Sequence, residues 1–114
     1  MIHVPMLTDD MLSRQILAGG IPVAVLFIGG EEPARDAFVL HKFSSVMDDF
    51  EQQIIFVQIR ADENPSPARE FSKPWHIPEI VIFRRGIVVG RLYGSFTRDE
   101  IEGLLRICLR EGVE

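Results

Sequence analysis

Ile80-Val81-Ile82-Phe83-Arg84-Arg85-Gly86-Ile87-Val88-Val89 is the stretch that decides the fold. Two apolar, largely β-branched runs flank Arg84-Arg85-Gly86, a polar turn that ends on glycine, and the pattern predicts a β-hairpin. Downstream, Thr97 and Glu100 have the spacing of a capping box, and Phe96 and Ile101 stand where a hydrophobic staple would close over it. A helix is therefore expected to begin there, with Ile101, Leu104, Leu105 and Cys108 on one face.

Upstream of the hairpin, helices and buried strands alternate. Thr8 is an N-cap for a helix that opens on Asp9 and Asp10, carries Met11, Leu12, Ile16 and Leu17 at helical spacing, and stops at Gly19-Gly20. Val23-Ala24-Val25-Leu26-Phe27-Ile28 is apolar on both faces, as a strand covered on both sides must be. Gly29-Gly30-Glu31-Glu32-Pro33 breaks that run. Pro33 suits a first helical turn and the two glutamates complement its dipole. Phe38, Leu40, Phe43, Val46, Met47 and Phe50 continue the helix. Ile54-Ile55-Phe56-Val57-Gln58-Ile59 predicts a second buried strand, Asp62-Glu63-Asn64-Pro65 a loop, and Pro67 to Phe71 a short helix. The sum is an α/β domain of order β-α-β-α-β-β-α, three layers (α/β/α) around a central mixed sheet, with room for a short N-terminal strand.

The chain has 114 residues, 46% hydrophobic and 25% charged, with a formal net charge of −5. That length predicts one domain over residues 1–114, large enough to need no disulfide or metal staple. One cysteine excludes a disulfide framework within the chain. The acidic balance, with no run of basic residues, argues against general affinity for nucleic acid. The start, Met1-Ile2-His3-Val4-Pro5-Met6, lacks the pattern of a signal peptide. The longest apolar run, Ile21 to Ile28, contains Pro22 and is far shorter than the roughly 18 residues of a membrane span. A cytoplasmic protein without membrane insertion is the expectation.

The order and spacing of these elements resemble the thioredoxin superfamily. Leu7-Thr8-Asp9-Asp10 is similar to the opening of bacterial thioredoxins, Val25-Leu26-Phe27 to their central strand, and Asp62-Glu63-Asn64-Pro65 to the turn after the next strand. Ile77-Pro78 with Ile80-Val81-Ile82-Phe83 and Gly86 resembles the stretch that carries their cis-proline, and Gly94 falls at the glycine after their last strand. The resemblance implies a thioredoxin fold with a cis bond before Pro78. It also exposes what is missing. Where the family carries Cys-Gly-Pro-Cys, this chain reads Glu31-Glu32-Pro33-Ala34, and the family's buried acid falls at Leu26. Thiol–disulfide exchange needs a thiolate, so the resemblance implies a member that lacks the Cys-x-x-Cys pair, with no catalytic residues for that reaction and no cofactor.

Other candidate residues are weighed on their own chemistry. Cys108, on an apolar helix face far along the chain from Glu31, reads as core rather than redox centre. His3, His41 and His76 have no Cys or carboxylate at ligand spacing, so no metal site is expected. His76 differs by its place beside Ile77-Pro78. Trp75 reads as core packing, or as a binding anchor were it exposed. Arg84-Arg85 reads as a solvated hairpin tip. Glu31 and Glu32 are solvated, dipole-complementing acids or, with Asp36, an acidic rim suited to a basic partner segment.

The resemblance therefore implies a redox-inactive protein that works by binding a protein or extended peptide at Glu31, Glu32, Pro33, His76, Ile77, Pro78 and Gly94. One kind of relative that fits is the thioredoxin-like accessory protein of nickel–iron hydrogenase maturation, a chaperone-like factor that attends the small subunit and its twin-arginine leader. Another is a co-chaperone or complex subunit with a different client. The opposing class is a weak thiol–disulfide oxidoreductase.

Overall fold

A computed structural model describes residues 4–6, 20–29, 33–50, 52–63, 77–94 and 96–111. Four strands, β1 (Val23–Ile28), β2 (Ile55–Arg60), β3 (Glu79–Arg84) and β4 (Ile87–Tyr93), form one sheet in the order β2-β1-β3-β4. Two helices accompany them, α1 (Pro33–Phe50) and α2 (Arg98–Glu111). The helices expected near Asp9–Leu17 and Pro67–Phe71 lie outside the described residues.

Strand β1 is central because every one of its six residues is apolar and buried. Helix α1 carries the chain from β1 to β2, which run parallel, as a helical crossover allows. Strand β3 runs antiparallel to β1, and β4 antiparallel to β3, giving the mixed sheet. The expected N-terminal strand is present as a single parallel bridge, Met6 with Gln58. Gln58, buried near the sheet edge, donates its side-chain amide to Val4 O at 2.8 Å and thereby holds that segment.

The pleat of β1 separates two apolar clusters. Ala24, Leu26 and Ile28 face Val39, Phe43, Val46 and Phe50 of α1 and Ile101, Leu105 and Cys108 of α2. Val23, Val25 and Phe27 lie on the other face with Val57, Ile59, Val81 and Phe83. Each fully buried Val, Leu, Ile or Phe contributes about 1.5–3 kcal/mol of transfer free energy. The α1 side is tightened by an edge-to-face pair, Phe43 on Phe56, with centroids 5.2 Å apart.

The hairpin turn is Arg85-Gly86, both with positive φ (53° and 79°). That is the two-residue geometry whose twist matches antiparallel strands. Beyond it, Phe83 pairs with Val88 but Ile82 pairs with Gly90, so β4 carries a bulge at Val89. Val88 and its neighbour Val89 pack with opposite clusters, as strand alternation dictates, whereas the bulge leaves Gly90 on the same face as Val89. It also sets Gly90 against α2: a Cβ there would lie 2.9 Å from Cys108 Sγ and 3.0 Å from Leu104 Cδ1. At the start of α2, Glu100 N donates to Thr97 Oγ1 (3.2 Å) and Thr97 N donates to Glu100 Oε1 (3.0 Å). This is the reciprocal capping box, and Phe96 and Ile101 are both buried over it.

One apolar position behaves differently from the helical pattern in the sequence. Phe38 is 62% exposed, since the stripe buried on α1 is Val39, Phe43, Val46 and Phe50, joined by Asp36. Lys42 Nζ covers the Phe38 ring at 4.3 Å from its centroid and also donates to Phe96 O at 3.0 Å.

Candidate functional site

The register brings distant loops to one end of the sheet. Phe27 near the end of β1 pairs with Glu79 at the start of β3, and Glu79 pairs with Tyr93 at the end of β4. Gly29, Ile77-Pro78 and Gly94 each lie within two residues of those positions, so all three emerge at the same end. The parallel strand β2 also finishes there, at Arg60, followed by Ala61 and Asp62. Helix α1 begins beside it, because Asp36 in its first turn accepts a hydrogen bond from Gly29 N at 2.9 Å through Oδ2.

Four of the residues singled out in the sequence are thus described at this end. Pro33 is exposed at the first position of α1, Ile77 is half-buried and Pro78 buried, and the Ile77–Pro78 peptide bond is cis. Gly94 has φ +85°, and no described residue lies within 4 Å of where a Cβ would stand. Tyr93 beside it is 56% exposed. Glu31, Glu32 and His76, and with them His3 and Trp75, lie outside the described residues. His41 is exposed on α1 and Arg85 at the hairpin tip, at the other end of the sheet from Pro78.

Two acids of this region are buried, and pattern reading did not single out either as such. Glu79 is fully buried, with Oε2 3.4 Å from Arg91 Nη1 on β4. Its partner lies two positions along the neighbouring strand on the same face, so the pair ties the start of β3 to β4. The available signal was a charge inside the apolar run from Ile77 to Phe83. Asp36 is 8% exposed, and its Oδ1 is buried with no hydrogen-bond partner among the described residues.

Gly29 is required here by space as well as by its φ of +92°. A Cβ would fall 2.5 Å from Asp62 Oδ1 and 3.1 Å from Ala61 N. Ala61 N itself donates to Ile28 O at 2.7 Å. Asp62 is held by Arg60, whose Nη2 donates to Oδ2 at 2.9 Å. That hydrogen bond and the guanidinium charge keep the Asp62 carboxyl below its usual range, and Asp62 in turn raises the pKa of Arg60.

Cys108 is 1% exposed and its Sγ donates to Val89 O at 3.8 Å. It sits between α2 and β4, within the apolar cluster on the helix side of the sheet. Among the described residues no group of three or more His, Cys, Asp or Glu side chains is arranged to hold a metal ion, and no helix is long and apolar enough to cross a membrane.

No family model matches the chain. Its sequence is similar to a thioredoxin from Porphyra purpurea, 27% identical over 105 residues, which cover 91% of this chain and 95% of that protein. The mixed sheet of order β2-β1-β3-β4 with its helices, and a likeness that runs nearly end to end, give the chain a thioredoxin fold and support its place in the thioredoxin superfamily.

Proposed function

We propose that the protein binds an extended segment of another protein at the Pro33, Ile77-Pro78 and Gly94 end of the sheet, and performs no thiol–disulfide exchange of its own. The observation that carries this reading is the state of the thiol. The sequence has one cysteine, and that cysteine is closed off between α2 and β4. Exchange proceeds by thiolate attack, and a thiol in an apolar surrounding is inert. What the sheet end offers is shape and main-chain bonding. Ile77 supplies backbone groups and an apolar side chain, Gly94 leaves room for an approaching backbone, and Tyr93 adds exposed aromatic surface.

The role that follows is that of a chaperone-like accessory factor. Glu31, Glu32 and Asp36 favour a basic client segment, and the twin-arginine leader of a nickel–iron hydrogenase small subunit is the first probe to try. The second reading is a weak thiol–disulfide oxidoreductase, favoured by the likeness to a thioredoxin. Two measurements separate them. Insulin reduction should stay at the buffer level, whereas turnover lost on Cys108→Ser would establish the enzyme. Titration with the leader peptide should show binding that Gly94→Trp blocks and that Glu31→Lys with Glu32→Lys slows at low salt. Binding unchanged by both sets of substitutions would move the partner surface elsewhere.

A further inference from the structure

The buried carboxylate of Asp36 has an unused acceptor, and its surroundings say what would fill it. Oδ2 is engaged by Gly29 N at 2.9 Å, while Oδ1 is buried and accepts no hydrogen bond. Among the described residues it is the one buried side-chain oxygen or nitrogen without a partner. A carboxylate oxygen closed off from water and lacking a donor carries an uncompensated desolvation cost. The nearby cation does not relieve it. Arg60 is close enough for Asp36 to add to the field that raises its pKa, yet its guanidinium turns to Asp62 at 2.9 Å and Glu63 at 3.9 Å. Asp36 cannot swing away to seek a donor without releasing Gly29, whose neighbour Ile28 closes the helix-side core.

We infer that Asp36 Oδ1 is the acceptor for a cationic N–H donor, an arginine or lysine side chain of the docked partner segment. This inference rests on the proposed docking at the sheet end and names the chemistry of what docks there. A carboxylate and a guanidinium or ammonium form a charge-assisted hydrogen bond, about twice as strong as a neutral one and stronger still away from water. The position suits such a donor. Asp36 lies in the first turn of α1, tied to the residue that follows β1, at the end of the sheet where Ile77-Pro78 and Gly94 emerge. Oδ1 is closed to solvent in the free chain, so the donor enters by displacing the atoms that cover it. The new bond, absent from the free state, supplies the differential affinity that such a displacement requires.

The test uses methylguanidinium chloride as the probe, titrated at millimolar concentration while the Gly29 amide is followed by NMR. Tetramethylammonium, which has charge but no N–H, is the control. A saturable shift of Gly29 with methylguanidinium alone is expected, and it should vanish in Asp36→Asn, which keeps an oxygen for Gly29 N but loses the charge. No saturable shift, or an equal response to tetramethylammonium, overturns the inference; neither result depends on a variant. A basic peptide that binds the wild type provides the second arm. Asp36→Asn should weaken its affinity about tenfold or more, corresponding to loss of one charge-assisted bond. Full affinity in Asp36→Asn together with loss in Gly94→Trp would refute the role of Asp36 and leave the docking reading intact. Loss in neither would refute both.

Discussion

Replacing Gly90 by alanine places a methyl group 2.9 Å from Cys108 Sγ and 3.0 Å from Leu104 Cδ1. Both distances are shorter than van der Waals contact. The leucine methyl ends a flexible side chain and can yield, but Sγ has one torsion and is held in the core against Val89 O. Forcing an extra methyl into such a site costs about 1–3 kcal/mol. Removing a strand glycine returns about 0.5–1 kcal/mol, so Gly90→Ala should destabilise by up to about 2.5 kcal/mol. Cys108→Ala alone deletes one buried heavy atom and should cost about 1 kcal/mol. In the double variant the new methyl occupies the volume the sulfur has left, so the two costs should not add. A coupling of at least about 1 kcal/mol in the favourable direction is expected. Urea unfolding of the four proteins measures it. With slopes of about 1–3 kcal/mol/M, Gly90→Ala should lower the midpoint by up to roughly 1.5 M. The double variant should recover most of that. Costs that add to within about 0.3 kcal/mol would refute the close approach of α2 to β4.

Three further outcomes are expected. Gly29→Ala should destabilise more than Gly94→Ala: both pay about 1–2 kcal/mol for a positive φ, but only at Gly29 would the new Cβ meet Asp62 Oδ1 and Ala61 N; equal costs in denaturant unfolding would contradict the packing. Thr97→Ala should cost about 1 kcal/mol through loss of the cap that Glu100 N donates to, and an unchanged midpoint would argue against the capping box. The Asp62 carboxyl should titrate below its ordinary value by NMR, because Arg60 bonds its ionised form, and should move up in Arg60→Gln. A folded value depressed below the unfolded one means that the contribution to stability is present above about pH 4 and is lost as the pH falls through the folded value. An Asp62 titration unmoved by Arg60→Gln would refute the pairing.

What was legible in the sequence was local. The all-apolar run Val23–Ile28 marked a strand buried on both faces, Arg84-Arg85-Gly86 marked a hairpin whose turn the structure narrows to Arg85-Gly86 because Arg84 ends β3, and Thr97 with Glu100 marked the start of a helix. Each of these signals is complete within a few residues, since capping bonds, turn dihedrals and burial patterns are set by near neighbours. The missing second cysteine is likewise a property of composition alone. The resemblance to thioredoxins came from the order of such pieces.

Other features depend on contacts between residues far apart in the chain. Phe38 fits the apolar spacing of α1 yet lies outside its buried stripe. Glu79 is a charge in a strand, and its pairing with Arg91 on the neighbouring strand offsets part of the cost of its burial. Gly90 looks like a weak point in β4 until α2 lies across it. Asp36 reads as part of an acidic rim with Glu31 and Glu32, but its bond to Gly29 and its unpartnered Oδ1 follow from how α1 closes onto the end of β1. Propensity and periodicity describe each element's own surface. Which surfaces meet is settled by strand order and register, and those brought Gly29, Ile77-Pro78 and Gly94 to one end of the sheet.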